Sequence, residues 1–127
     1  MDTPISVAVV GCGARSRIYV ELMAQRPEQF QLVAAADPLS LHLEAVRTLS
    51  SATDLRLFED ADALLAEPRL ADLLIVGTQD NYHVEPCRKA LQKGYDVLLE
   101  KPAATEAESI LELDALARDL GLSLIHI

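Results

Sequence analysis

The chain has 127 residues, half of them hydrophobic, which is enough for one domain with a sizeable core. Its formal charge of −9 is scattered rather than blocked, which sets aside nucleic acid and anionic membrane as partners. No stretch approaches a membrane span, the first residues carry no basic or apolar leader, and Cys12 and Cys87 stand too far apart for metal-ligand spacing. A cytoplasmic protein with reduced, inert thiols and no metal site is expected.

Apolar runs alternate with amphipathic ones. Residues 5–10 read as a buried strand. A helix is expected over 15–25, with Ile18, Leu22 and Met23 facing inward and Glu21 and Arg26 outward. A second strand, 31–36, is stopped by Asp37-Pro38. Ser40 is placed to cap a helix through Leu49, with Glu44 in its first turn; His42 reads as a solvent-facing residue of that helix with no role. A short strand is expected at 56–58. Asp60 is placed to cap 61–66, which ends before Pro68. A strand at 72–76 is closed by Gly77. The next helix runs from about Tyr82 to Lys93, with Gly94 as its stop, and a strand follows at 96–99. Thr105 and Glu108 form a capping box for a helix reaching about Asp119, which Gly121 ends.

These strands are apolar without alternation, as strands covered on both faces must be. Alternating β and α elements with right-handed crossovers imply an α/β fold, a doubly wound parallel sheet of Rossmann type.

The turn after the first strand, Gly11-Cys12-Gly13-Ala14-Arg15-Ser16, has the form of a dinucleotide loop. Such a loop brings backbone N–H groups to two phosphates without an intervening Cβ and aims a helix N-terminus at their charge. Serine stands at the third fingerprint position, where glycine or alanine is usual, and is small enough to preserve close helix packing. Arg15 has two readings: a reach to a phosphate or ribose, or a solvated first-turn arginine. Asp37 ends the second strand where the fingerprint wants an acid for the adenosine ribose hydroxyls; the alternative is a turn-forming Asp-Pro. A carboxylate there repels a 2′-phosphate, and no arginine follows in Pro38-Leu39-Ser40-Leu41, so NAD is expected over NADP. Glu100-Lys101-Pro102 ends a later strand, where it is placed to meet the reactive end of the same cofactor.

The segments from Ala71 to His83 and from Glu85 to Pro102 resemble the Gfo/Idh/MocA oxidoreductases, in which a strand precedes Thr-Pro-x-x-x-His and a later strand ends in Glu-Lys-Pro. The resemblance runs from Ile5 to about Gly121. It implies that Thr78 lies beside the dinucleotide, that His83 opens the next helix at the cofactor, that Glu100 contacts the nicotinamide half, and that Lys101 binds or polarises the substrate hydroxyl as the catalytic residue of this domain. Pro102 matches a proline that would aim Lys101 into the cleft. Gln79 replaces the usual proline after the threonine. The cofactor-binding set is therefore Gly11, Cys12, Gly13, Ala14, Arg15, Asp37, Thr78, Gln79, His83, Glu100 and Lys101.

The resemblance further implies a homo-oligomeric complete enzyme acting on a sugar, polyol or related hydroxyl compound, its acid/base groups lying in a second domain. Two alternatives are an NAD-dependent glycosidase of the same fold family and a non-catalytic nucleotide-binding regulator. The last six residues, Leu-Ser-Leu-Ile-His-Ile, are also the in-frame translation of CTGTCTCTTATACACATC, a transposon mosaic-end adapter used in DNA libraries. On that reading residues 1–121 are the dinucleotide-binding domain, residues 122–127 are a non-native C-terminal extension, and the substrate domain is absent.

Overall fold

A parallel sheet needs a crossover between each pair of strands, and this chain supplies a helix for each. The computed structural model describes residues 3–50, 54–78, 84–100 and 107–126. In chain order the elements are β1 (Ile5–Val10), α1 (Ala14–Ala24), β2 (Phe30–Ala36), α2 (Ser40–Ser50), β3 (Arg56–Phe58), α3 (Ala61–Ala66), β4 (Leu73–Val76), α4 (Val84–Gln92), β5 (Asp96–Leu99), α5 (Ala107–Leu120) and β6 (Leu124–His126). The strands form one sheet in the order β3-β2-β1-β4-β5-β6, every pair parallel. The expected doubly wound architecture is present. Among the described residues no helix is long and apolar enough to cross a membrane.

Right-handed crossovers dictate which face each helix covers. The chain moves outward from β1 to β3, so α1 and α2 share one face; it then returns to β4 and moves the other way, so α3, α4 and α5 share the other. Successive residues of β1 serve the two faces in turn. Val7 and Val9 pack with Val20 of α1 and Val46 of α2, while Ala8 and Val10 pack with Leu64, Leu91 and Leu113 of the opposite layer. Both sides of the strand are buried, and this is why its sequence is apolar without alternation.

Local signals fix the element ends. Asp60 caps α3, its Oδ1 accepting the Ala63 N–H at 2.8 Å. At the end of α4, Gly94 adopts φ +93°. The Gly94 N–H donates to the Leu91 carbonyl and the Tyr95 N–H to the Ala90 carbonyl, which is a Schellman closure. That closure delivers Tyr95, fully buried, into the core, where its hydroxyl accepts the Leu70 N–H at 3.0 Å. Leu122 donates back to the Ala117 carbonyl after Gly121, and the strand that follows pairs with β5 through Val97, Leu98 and Leu99.

Two local expectations are corrected. Ile18 and Leu22 do not face inward: they are 52% and 53% exposed. The inward stripe of α1 is Ser16, Val20 and Met23, with Tyr19 beside it. The helix enters through a tight turn against the sheet, so its orientation is set by the small Ser16 and not by its largest apolar side chains. Ser40 is not the cap of α2 but its first residue, and Glu44 lies beyond the first turn. Leu39 holds the cap position, its carbonyl accepting from His42 and Leu43, while its own N–H is taken by Oδ1 of Asp37 at 2.8 Å. The expected capping pair of α5 falls partly on Thr105, outside the described residues.

Candidate functional site

β1 and β4 are neighbours whose crossovers leave in opposite directions, and a crevice opens at their carboxyl ends. Backbone hydrogen bonds hold the rim of that crevice together. Gly11 N–H donates to Ala36 O at 2.8 Å, Gly77 N–H to Val10 O at 2.8 Å, and Glu100 N–H to Val76 O at 2.9 Å. The glycine loop, Asp37, Thr78 and Glu100 thus lie along one end of the sheet.

The two loop glycines do different things. Gly11 has φ +83°, and a Cβ there would lie 2.5 Å from the Thr78 nitrogen and 2.6–2.7 Å from the Gly77 carbonyl group. It is required by the neighbouring strand. Gly13 has an ordinary φ of −71° and is the N-cap of α1, yet no side chain caps that helix. Among the described residues a Cβ at Gly13 would meet nothing within 4 Å. Among the described residues, open space therefore stands over a helix terminus whose first N–H groups have no side-chain partner, with Ala14 and Arg15 exposed beside it. That combination fits a pyrophosphate. Ser16 at the third fingerprint position is 2% exposed. A Cβ on Gly77 would fall 2.1 Å from its Oγ, so Ser16 and Gly77 achieve together the close helix–strand approach that the motif needs.

Asp37 is 6% exposed and both its oxygens are engaged. Oδ2 accepts the Cys12 N–H at 2.7 Å, and Oδ1 accepts from Leu39. It shapes the turn, as one of its two sequence readings has it, and it stands at the strand end beside the loop. His42 is not a solvent-facing bystander. Its Nδ1 lies 3.0 Å from Asp37 Oδ2, and its side chain is 30% exposed. α2 begins so soon after Asp37 that its first turn passes directly over the carboxylate. A cleft of about 730 Å³ runs from Gly11 and Gly13 past Asp37 and His42 to Thr78 and the first turns of α3 and α4. Across it, Lys89 pairs with Asp62 at 2.8 Å.

At the other side of the loop, Glu100 is 5% exposed and accepts a hydrogen bond from the Tyr19 hydroxyl at 2.7 Å. Desolvation, and then the hydrogen bond to Glu100, raise the Tyr19 pKa; Arg15 opposes the rise. Arg15 thus sits on the Glu100 side of α1. Burial, and then the Asp37 charge, push the Cys12 thiol up to about 12. Its Sγ is 3.5 Å from Ala36 O, so its side chain is a packing group and its backbone N–H is the polar contribution.

Of the expected site residues, Gly11, Cys12, Gly13, Ala14, Arg15, Asp37, Thr78 and Glu100 are brought to one end of the sheet. Gln79, His83 and Lys101 lie outside the described residues. Tyr19 and His42 were not among the expected site residues, and the close packing expected at Ser16 was read without its partner Gly77. Tyr19 had a signal in hindsight, standing one helical turn beyond Arg15 and beside the inward stripe. His42 had only its position, five residues after Asp37.

A doubly wound sheet in this strand order, with an open helix terminus at its switch point and an acid closing β2, defines a dinucleotide-binding Rossmann domain. The chain belongs to the Gfo/Idh/MocA oxidoreductase family, matching the family's NAD-binding Rossmann fold over residues 5–126. Among curated relatives it is 28% identical to an inositol 2-dehydrogenase of Rubrobacter xylanophilus, covering 97% of this chain and 34% of that protein. It is 26% identical to a D-glucoside 3-dehydrogenase of Escherichia coli, covering 98% and 35%. Among solved structures it superposes on the WlbA dehydrogenase of Bordetella pertussis, bound to NADH and UDP-GlcNAcA, with a TM-score of 0.87 at 28% identity, covering all of this chain and 37% of that one. The chain spans about a third of the length of the relatives it matches.

Proposed function

We propose that this domain binds NAD(H) in preference to NADP(H), and that in the complete enzyme it presents the cofactor to a sugar, polyol or related hydroxyl compound. The observation that carries the cofactor preference is the Asp37 carboxylate, buried at the end of β2 and held toward the glycine loop by the Cys12 N–H. A fixed anion there accepts hydrogen bonds from ribose hydroxyls and repels a 2′-phosphate. The pyrophosphate goes to the open N-terminus of α1 over Gly13.

The nicotinamide supplies the hydride chemistry when bound. The chain supplies position and charge. Tyr19 holds the buried Glu100 carboxylate at the end of β5, and family resemblance assigns Glu100 to the nicotinamide half. By the same resemblance Lys101 places a cation near the substrate oxygen, where it stabilises developing alkoxide as the hydroxyl loses its proton. The compounds for which the relatives are named or with which they are bound, an inositol, a glucoside and a nucleotide-linked sugar, support a polyhydroxylated substrate.

Calorimetric titration of the chain and its Asp37→Asn variant with NADH and NADPH tests the reading. Asparagine keeps an acceptor for the Cys12 N–H and removes the charge. The expected result is tighter NADH binding by the unaltered chain and a narrower gap in the variant. Equal or tighter NADPH binding by the unaltered chain contradicts the preference.

A further inference from the structure

We infer that His42 is a specificity-determining residue of the cofactor site, acting through Asp37 so that discrimination between NAD(H) and NADP(H) depends on the charge of the imidazole. The inference rests on the dinucleotide reading above. Its own basis is the contact between His42 Nδ1 and Asp37 Oδ2 at 3.0 Å, on the wall of the cleft that contains the glycine loop.

A carboxylate has about four acceptor positions. In Asp37 the described residues use three, for the Cys12 N–H, the Leu39 N–H and His42. With Nδ1 protonated and Nε2 bare, the imidazole is a neutral donor that steadies the carboxylate, and the pair carries one negative charge. Protonation of Nε2 makes the pair neutral and adds a second donor to a partly exposed ring. A neutral pair no longer repels a 2′-phosphate, and the second N–H is a donor on the same wall. Imidazole is the side chain whose charge changes between about pH 5 and 8.

The other charged groups facing the ring do not replace this switch. Across the cleft, Asp60 caps α3, Asp62 is paired with Lys89, and Glu85 lies next to Arg88 on α4. On α2 itself, Glu44 and Arg47 pair with each other. On α1, Arg17 acts on the Cys12 thiol. Carboxylates are already ionised, and Lys and Arg still protonated, across the pH range in which imidazole titrates.

The test is calorimetric titration of NADH and NADPH at pH 8 and pH 6 with the unaltered chain, His42→Asn and His42→Gln. The 2′-phosphate of free NADPH also loses negative charge from pH 8 to pH 6, and that change is common to the titrations of all three proteins. The expected result is that the ratio of NADPH to NADH dissociation constants falls from pH 8 to pH 6 by about tenfold more in the unaltered chain than in either variant, the scale of one charge-assisted hydrogen bond. His42→Asn, which keeps a donor near the Nδ1 position, should retain NADH affinity at pH 8 better than His42→Gln. Thermal midpoints of the free proteins serve to identify a variant that is merely misfolded, the other variant then carrying the comparison. If the ratio changes alike in all three, the inference is overturned while the dinucleotide reading stands. If the unaltered chain binds neither nucleotide, both fall.

Discussion

The backbone N–H of Cys12 donates to Oδ2 of Asp37 across 2.7 Å, tying the middle of the glycine loop to the end of the neighbouring strand. The acid expected to read the ribose is also a structural partner of the loop expected to read the phosphates. Changing it therefore has two effects, one on binding and one on folding. Asp37→Ala leaves two N–H donors, of Cys12 and Leu39, without their acceptor, and an orphaned donor costs about 1–3 kcal/mol. Asp37→Ala should lower unfolding free energy by about 2–4 kcal/mol in urea, and Asp37→Asn by less than half of that.

The loop glycines should separate stability from binding. Gly11→Ala places a Cβ on backbone atoms at positive φ and should cost about 2–4 kcal/mol of stability. Gly13→Ala has free space and an ordinary φ, so the fold should change by less than about 0.5 kcal/mol while NADH binding weakens. Urea unfolding and NADH titration of both variants check the contrast; a Gly13→Ala variant that unfolds early and binds normally would reverse the assignment.

Both thiols should be silent in the folded protein. Burial raises Cys12 and Cys87 from an ordinary 9.0 to about 12. Because the folded value is the higher one, their contribution to stability is whole below pH 9.0 and is lost as pH climbs toward about 12. An aromatic disulfide reagent at pH 8 should label neither cysteine until denaturant is added. Rapid labelling of the native chain would contradict the burial.

Tyr19→Phe should destabilise the domain by about 1–2 kcal/mol, because it removes the donor that serves a buried carboxylate. Tyr19→Phe with Glu100→Gln should cost less than the sum of the two, since each removes one partner of the same bond. Urea unfolding of the two single variants and the double variant measures this; strict additivity would mean the bond contributes nothing.

The centre of the sheet was legible because β1 and β4 are buried on both faces and so appear as unbroken apolar runs, with Gly94, Asp60 and Gly121 marking element ends by backbone chemistry. The turn of the glycine loop and the position of Asp37 at the end of β2 were legible because each follows directly on an apolar run, whereas the contacts that hold them, Gly11 against Thr78 and Asp37 with Cys12, join residues far apart in the chain. α1 was misread because Ile18 and Leu22 look like a buried face, whereas the tight entry past Gly77 selects Ser16 and Val20. Tyr19 meets Glu100 only when β5 is laid beside β4, which no local pattern announces. The His42 contact depends on the pitch at which α2 leaves Asp37, and periodicity places the residue on a helix without saying what lies beneath it.

The most direct test of the central claim, a dinucleotide laid from the α1 terminus across Asp37, is a residue-resolved NMR titration of the chain with NADH. The account predicts saturable shifts at the amides of Cys12, Gly13, Ala14, Arg15 and Asp37, with the cavity at the opposite end of the sheet, around Val20, Phe30 and Leu32, unmoved. Shifts confined to that opposite cavity, or none at millimolar NADH, would contradict it.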